Sequence, residues 1–306
     1  MSVQRARPFT WTFVTPSTTI ALLRAARPRQ WIKNVLVVAA PLAGASLLNG
    51  SVARHTVVAF VSFCMASSAG YLINDVVDLK ADQHHPTKKH RPIASGAISS
   101  KFAISTAIFL AVAAIALGST LGSAQLALVL AIYLVVTLTY TLGIKNQPVF
   151  DLAFVAAGFL LRAIAGGAAT GIPLSQWFLL VASFGSLFMV AGKRYAELLV
   201  VTTDGNGSRP SVSLYSASYL RFVWSVSATA TIFAYALWSF DVGARSGAVS
   251  WAQISVAPFA LGILRYAVDI DSGKASTPED VVLRDFGLQL LGAVWLVTFV
   301  LAANGA

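Results

Sequence analysis

Three aspartates occur at helical spacing where a long apolar segment ends. Asp75, Asp78 and Asp82 occupy positions i, i+3 and i+7, which on a continuous helix places them within about 60° of one another. Three carboxylates on one stripe repel each other unless a cation joins them, and Mg²⁺ favours such oxygen ligands while it completes its shell with substrate phosphates. The spacing therefore indicates a magnesium site for a phosphorylated substrate, with hydrogen-bond support from Asn74. The simpler alternative is a solvated acidic helix end.

A basic cluster follows the aspartates directly. Residues 84–92 have the sequence His-His-Pro-Thr-Lys-Lys-His-Arg-Pro. Arginine and lysine side chains hydrogen-bond the phosphate oxygens that a metal does not neutralise, so Lys89 and Arg91 are candidates for the second half of a diphosphate site. The alternative is an ordinary positively charged anchor at a membrane surface. A zinc site is disfavoured, because Cys64 is the single cysteine and hard carboxylates dominate.

Two further polar sets lie at the ends of apolar segments. They are Tyr140, Lys145 and Asp151 at a corner between two segments, and Lys193, Arg194 and Glu197 at the end of a third. Each set alone is typical of an ordinary helix terminus. Both sets are predicted to lie on the same side of a membrane as the aspartates, which favours one shared site.

Arg162 lies well inside an apolar segment, where a charge is costly unless it faces a cavity or a partner. Asp151 precedes it by about three helical turns and points in nearly the same direction, roughly 16 Å away along the helix axis. The two side chains are too far apart to pair, but they could line one water-filled or ligand-filled groove. The alternative is that Arg162 pairs structurally with another helix.

The composition excludes a soluble fold. Of the 306 residues, 57% are hydrophobic and 11% are charged, with a mean hydropathy of +0.73, whereas a soluble domain carries roughly 25% charged residues. Stretches of about 20 apolar residues, the length that crosses the hydrocarbon core, recur along the chain, and in lipid they must be helical. We predict an all-α integral membrane protein with nine transmembrane helices, at 35–53, 55–73, 102–121, 124–142, 150–170, 175–192, 220–240, 248–265 and 286–303.

The basic residues predict how the chain is oriented. Lys and Arg concentrate in the arm before the first segment and in every second connection, whereas only Arg54 and Arg245 fall on the opposite side. Because loops rich in Lys and Arg stay cytoplasmic, we predict the N-terminus and the polar residues inside and the C-terminus outside, in the inner (plasma) membrane. The formal net charge of +10 thus reflects membrane orientation rather than a nucleic-acid partner.

The chain is predicted to form a single domain. Residues 1–16 form a flexible basic arm without the features of a signal peptide, and residues 17–306 form the transmembrane domain. Residues 17–33 are predicted to start it with an interfacial helix, since Ser17 offers an N-cap and the arginines suit anionic headgroups. Residues 202–218 are predicted to be a flexible loop. The sequence contains no Walker-type phosphate loop and no serine-nucleophile elbow, so phosphate chemistry would depend on metal and cations.

The chain resembles the UbiA superfamily of intramembrane transferases over roughly residues 22–301, on the segment 74–82, Asn-Asp-Val-Val-Asp-Leu-Lys-Ala-Asp. Residues 27–34, Arg-Pro-Arg-Gln-Trp-Ile-Lys-Asn, and residues 85–96 are similar to its decaprenyl-phosphate phosphoribosyltransferase branch. The resemblance implies a nine-helix bundle, Mg²⁺ as cofactor, and a site open to the cytoplasm. It also implies transfer of 5-phosphoribose from phosphoribosyl diphosphate to decaprenyl (polyprenyl) phosphate, for cell-wall arabinan precursors. In one departure, the superfamily repeats an Asp-x-x-x-Asp motif, whereas here Val155 stands four residues after Asp151.

Together, the spacing and the resemblance give the polar residues expected roles. Mg²⁺ is expected at Asn74, Asp75, Asp78 and Asp82, of which Asp75 and Asp78 are catalytic. The candidates for phosphoribosyl diphosphate are Lys33, Asn34, Lys89, Arg91, Lys145, Lys193 and Arg194, those for the lipid phosphate are Arg29 and Arg162, and the supporting residues are Tyr140, Asp151 and Glu197. A reaction that joins a diphosphate, a 5-phosphate and a lipid phosphate needs many cations around one metal.

Two other functions stay open at this point. A prenyltransferase that joins a polyprenyl diphosphate to an aromatic acceptor would use the same metal site for a different donor. A transporter of an anionic lipid or metabolite is disfavoured, because transporter sites lie near the middle of the membrane, whereas the charges here gather at one face. The sequence also leaves a homo-oligomer open.

Overall fold

The computed structural model describes residues 16–121, 124–204, 215–243 and 250–303, and the regular elements in these ranges are all helical. Most of the predicted arm at 1–16 and of the predicted loop at 202–218 lies outside them. The helices are α1 (Pro16–Ala26), α2 (Ala39–Ala43), α3 (Gly50–Val77), α4 (Leu79–His84), α5 (Ser100–Ser119), α6 (Ala124–Leu142), α7 (Phe150–Thr170), α8 (Gln176–Asp204), α9 (Ala217–Gly243), α10 (Trp251–Asp271), α11 (Pro278–Arg284) and α12 (Phe286–Ala303).

Eight of the described helices are long and apolar enough to cross a membrane, namely α3, α5 to α10 and α12. They correspond to the second to ninth predicted segments, which confirms the all-helical membrane fold. α6, α7 and α12 have the predicted bounds. α3 and α8 continue past their apolar stretches, because their last turns carry charged residues that a search for apolar runs does not include.

The first predicted segment, 35–53, is wrong as a single helix. The chain instead forms a 3₁₀ helix over Pro28–Val38, then the short α2, and a turn that leads into α3 at Gly50. α3 begins there because the Asn49 side chain accepts hydrogen bonds from the N–H groups of Ser51 and Val52. Such an N-cap starts a new helix even inside an apolar stretch.

The helix predicted at 17–33 is also interrupted. α1 ends at Ala26, and Arg27 adopts a left-handed backbone conformation with φ 55°. Pro28 follows, and a proline disfavours the helical conformation of the residue before it. The interruption turns Arg27 toward the end of α3, where the aspartates lie.

The 3₁₀ helix and α2 run through the bundle alongside α7. Val37 packs so close to α7 that a Cβ added at Gly166 would overlap the carbonyl oxygen of Val37. Gly44 lies beside Ile172, just beyond the end of α7. A 3₁₀ helix rises about 2 Å per residue, so residues 28–43 reach from one end of the bundle to the other.

α7 is the central helix of the bundle. Its first turns pack into an apolar core with α8, α9 and α10, where Phe188, Tyr195 and Tyr266 are buried. Its later turns pack into a second core with α3 and α6. Because Asp151 and Arg162 both lie on α7, this helix carries polar side chains into the region where the two apolar cores meet.

Candidate active site

The three aspartates lie where α3 ends and α4 begins. Asp75 is in the last turn of α3 and Asp82 is in α4, and these residues are 2% and 3% exposed. Asp78 stands between the two helices with φ −85° and ψ 4°. A continuous helix would place the three carboxylates on one stripe, facing one common partner. The helix is interrupted at Asp78, and the three carboxylates do not share one partner.

Arg91 joins two of the carboxylates. Its Nη1 donates to Asp75 Oδ1 at 3.1 Å and to Asp82 Oδ2 at 2.6 Å. Arg27 donates to the same oxygen of Asp75, and its guanidinium lies over the ring of Tyr71 at 4.9 Å. The sequence predicts a site role for Arg91 but not for Arg27, although Arg27 belongs to the same segment, 27–34, as the candidates Arg29 and Lys33.

The loop between α6 and α7 contributes a cation for Asp78. Lys145, in a short 3₁₀ turn over Ile144–Asn146, forms an ion pair with Asp78 Oδ1. Asn74 Nδ2 donates to Asp78 Oδ2 at 3.1 Å. Both oxygens of Asp78 are therefore occupied by donors, and the loop is tied to the end of α3.

Arg194 and Asp151 form a buried ion pair in the second half of the site. Nε and Nη2 of Arg194 donate to the two oxygens of Asp151, both at 3.0 Å, in the bidentate geometry that arginine favours with carboxylates. Nη1 donates to Glu197 at 2.9 Å, and Tyr140 donates to Asp151 at 2.9 Å. Two carboxylates already engage the guanidinium. Lys193, 34% exposed and 3.9 Å from Glu197, is the more accessible cation.

Arg162 is buried among neutral partners and is 5% exposed. Three oxygens accept hydrogen bonds from its guanidinium: Asn34 Oδ1 at 2.8 Å, Gly158 O at 2.6 Å and Tyr133 OH at 2.9 Å. Three aromatic rings also face it, with centroids between 4.8 and 5.8 Å away. In the described part of the chain, no carboxylate forms an ion pair with Arg162. Arg162 and Asp151 thus have separate partners, and Arg162 pairs structurally with its neighbours.

Asn34, Arg29 and Lys89 lie outside the ion pairs that the described residues form around the aspartates. Asn34 belongs to the buried cluster around Arg162, where its Nδ2 also donates to Cys64 Sγ at 3.3 Å. Arg29 and Lys89 are exposed, and neither contacts a carboxylate of the described ranges. Lys33 is half-buried on the 3₁₀ helix. The structure thus brings Arg91 and Lys145 to the aspartates, and leaves Arg29 and Lys89 toward the surface.

The aspartates supply the hard oxygen donors that Mg²⁺ prefers. Over the residues that the structure describes, no three histidine, cysteine or acidic side chains are arranged as a complete metal site. Asp75 and Asp82 nevertheless converge on one nitrogen atom of Arg91, so carboxylates from α3 and α4 meet at one cationic group. Mg²⁺ is commonly held by one or two carboxylates together with waters and substrate phosphates. The residues present therefore fit a magnesium ion that binds together with a phosphorylated substrate.

Most of the chain is similar to proteins of one known family. The pattern of the UbiA prenyltransferase family matches residues 35–303. The chain belongs to this family. This UbiA member is 50% identical over 284 residues to the decaprenyl-phosphate phosphoribosyltransferase of Mycobacterium tuberculosis, covering 90% of this chain and 92% of that protein. It is also 50% identical over 288 residues to the protein of that name from Mycolicibacterium smegmatis, covering 90% of each.

A solved structure of another UbiA protein shares the fold. The UbiA homolog from Archaeoglobus fulgidus, bound to DMAPP and Mg²⁺, superposes with a TM-score of 0.70 and covers 94% of this chain and 100% of that chain. The two sequences are 16% identical. The likeness therefore concerns the arrangement of the helices alone.

Proposed function

We propose that this UbiA family member transfers 5-phosphoribose from phosphoribosyl diphosphate to a polyprenyl phosphate such as decaprenyl phosphate. The observation that carries the proposal is the 50% identity, over about nine-tenths of each chain, to proteins named decaprenyl-phosphate phosphoribosyltransferase. The many basic residues at the site support it, because three phosphate-bearing groups meet in this reaction. The product would supply cell-wall arabinan precursors.

The ion pairs of the site suit exchange with a metal-bound diphosphate. Arg27, Arg91 and Lys145 each bind an aspartate, and their side chains are 26%, 23% and 22% exposed, so a solute can reach them. A diphosphate that arrives with Mg²⁺ offers the aspartates a cation and the basic side chains new oxygen acceptors. Because every charge keeps an opposite charge beside it, the exchange leaves no buried charge without a partner.

Asp75 and Asp82, with Asp78 beside them, are the residues that would hold the ion. When bound, Mg²⁺ neutralises the diphosphate and stabilises the charge that develops on its leaving oxygen. Asp151 is structural support in this proposal. It is already bonded to Arg194 and Tyr140, and Val155 takes the place of a second acidic residue, so the site holds one diphosphate–metal group.

The basic residues stabilise the departing diphosphate. The bond between the anomeric carbon of ribose and the diphosphate oxygen breaks, while Arg27, Arg91 and Lys145 hydrogen-bond the phosphate oxygens. An oxygen of the lipid phosphate forms the new bond from the opposite face of the ribose. A phosphate monoester is ionised at neutral pH, so no side chain has to remove a proton. Lys193 is the candidate for the 5-phosphate and Arg29 for the lipid phosphate.

We also propose nine membrane crossings, with the site at the cytoplasmic face of the plasma membrane. Eight crossings are the apolar helices. The ninth is the stretch 28–43, which starts beside Arg27 at the aspartate end and continues to Gly44 beside Ile172 at the other. The excess of Lys and Arg at the aspartate end supports a cytoplasmic location for it.

Transfer of labelled ribose tests the proposed reaction. Purified protein in detergent is incubated with Mg²⁺, decaprenyl phosphate and phosphoribosyl diphosphate that carries label in its ribose. We expect label to enter the organic phase, and EDTA to prevent this. If no label moves while a polyprenyl diphosphate reacts with an aromatic acid instead, the protein is a prenyltransferase.

A further inference from the structure

A strained turn connects the two halves of the site. Val149 has φ 67° and ψ −52°, and the N–H of Phe150 donates to the carbonyl of Pro148 at 2.7 Å. These values describe a three-residue γ-turn of the rare positive-φ kind. Positive φ is unfavourable for a β-branched residue, so the surrounding structure must hold the turn. Lys145 lies shortly before it and Asp151 shortly after it.

Tyr215 holds this turn from a distant part of the chain. Its phenol oxygen accepts a hydrogen bond from the N–H of Val149 at 2.9 Å. Tyr215 precedes α9, is 7% exposed, and stacks on Tyr219 with ring centroids 5.8 Å apart and 5° between the planes. Burial raises the pKa of the Tyr215 phenol, which further disfavours loss of its proton. Packing therefore fixes a neutral acceptor against the backbone of one strained residue.

The turn sets the separation of two charges that bind different partners. Lys145 pairs with Asp78 at the end of α3, and Asp151 pairs with Arg194 on α8. If Val149 relaxed to negative φ, the chain between Lys145 and Asp151 would change direction and these contacts would shift. A misplacement of about 1 Å in a catalytic site can cost roughly a hundredfold in rate.

We propose that Tyr215 is a positioning residue for donor binding. By holding Val149 at positive φ, Tyr215 fixes Lys145 relative to Asp151 and thereby sets the affinity for the diphosphate of phosphoribosyl diphosphate. This inference rests on the proposed function. In this inference, donor binding also depends on Tyr215, a residue that lies outside the charged clusters.

The variant Tyr215→Phe removes the acceptor oxygen and keeps the ring. We expect the KM for phosphoribosyl diphosphate to rise about tenfold, while the KM for decaprenyl phosphate and the melting temperature stay near wild type. The matched control is Tyr219→Phe, which changes the stacked neighbour and should leave both KM values unchanged. A purely structural role would reduce the amount of active enzyme at constant KM. An unchanged donor KM in Tyr215→Phe overturns the proposal.

A double-mutant cycle tests the connection through Val149. Glycine adopts positive φ without a steric penalty, so in a Val149→Gly background the turn depends less on the phenol. There we expect Tyr215→Phe to raise the donor KM by less than about twofold, which is non-additive behaviour. An equal rise in both backgrounds would show that Tyr215 acts by another route.

Binding of inorganic diphosphate with Mg²⁺ separates this inference from the proposed function. The readout is the shift in melting temperature that the ligand produces in wild type and in Tyr215→Phe. If wild type transfers no ribose but only Tyr215→Phe loses the shift, the function is wrong and the positioning role stands. If wild type transfers ribose and both proteins show the same shift, the function stands and the positioning role is wrong.

Discussion

The four aspartates of the site are all paired with basic side chains. Asp75 and Asp82 share Arg91, Asp78 binds Lys145, and Asp151 binds Arg194. The cost of removing one partner depends on how deeply the other is buried, because a buried charge without a partner is far more costly than an exposed one. The pairs near the aspartates and the pair on α7 and α8 should therefore respond differently to mutation.

Replacing Asp75 with asparagine should stop turnover without unfolding the protein. Asn keeps the shape but loses the charge that would hold Mg²⁺, so we expect kcat/KM for ribose transfer to fall more than about a hundredfold. The control is Asp241→Asn at the opposite end of the bundle, where Asp241 accepts a hydrogen bond from Trp177. Substantial activity in Asp75→Asn, beside a normal Asp241→Asn, would contradict the metal assignment.

Replacing Arg194 with glutamine should mainly reduce stability. Asp151, 1% exposed, would lose its bidentate partner, and breaking a buried pair costs about 3–5 kcal/mol. Unfolding in mixed detergent and dodecyl sulfate measures the change. Arg221→Gln is the matched control, because the Arg221–Asp271 pair is 58% and 56% exposed and its loss should leave stability nearly unchanged. Equal stability of the two variants would show that burial does not decide the cost.

At the scale of single elements, the sequence predicts helices where the membrane leaves no alternative. α6, α7 and α12 have the predicted bounds because long, predominantly apolar stretches in lipid must form helices. The stretch from Arg27 to Asn49 differs, because its apolar content is equally compatible with α and 3₁₀ geometry. Only the flanking signals, Pro28 and the Asn49 cap, mark where the helices stop and start.

For the site, the sequence predicts local relations between residues but not the contacts between distant ones. Spacing along one segment indicates that Asp75, Asp78 and Asp82 act together, since local geometry relates them. It gives no information about which distant side chain meets each carboxylate. Arg27 and Tyr215 act across 48 and 66 residues of sequence, and only the tertiary packing of the helices brings them into place.

The close contact between α7 and the 3₁₀ helix should make Gly166 intolerant of substitution. A methyl group in Gly166→Ala would overlap the carbonyl oxygen of Val37 and lie 3.1 Å from Pro41 Cδ. We expect a loss of about 1–3 kcal/mol, typical of an overpacked core. Gly262→Ala on α10, where nothing lies within 4 Å of the added carbon, should be as stable as wild type or slightly more stable. Comparable thermal stability of both variants would exclude such close packing in the membrane.

At the scale of the whole molecule, the number of crossings determines which loops share a side. If the stretch 28–43 crosses the membrane, α1 and the turn before α3 lie on opposite sides. Leu23 and Leu48 mark these two places and are 55% and 102% exposed. The native thiol, Cys64, is buried, so we expect a maleimide to label cysteines introduced at the surface and to label Cys64 little.

Cysteine labelling should place Leu23→Cys inside and Leu48→Cys outside. In intact spheroplasts, we expect a membrane-impermeant maleimide to label Leu48→Cys alone, and in inverted vesicles to label Leu23→Cys alone. Lys89→Cys, which follows α3, should behave like Leu23→Cys and serves as the internal reference. Labelling of Leu23→Cys and Leu48→Cys from the same side would mean that residues 28–43 do not cross.

The gathering of the ion pairs at one end of the bundle has an electrical consequence. Moving one elementary charge through the full membrane potential is worth about 2.3 kcal/mol per 100 mV. Phosphate groups that arrive at, react at and leave from the Asp75 end cross almost none of this field, and Arg162, the charge buried deeper, is fixed by its neighbours. Turnover in proteoliposomes should therefore be the same with and without an imposed transmembrane voltage.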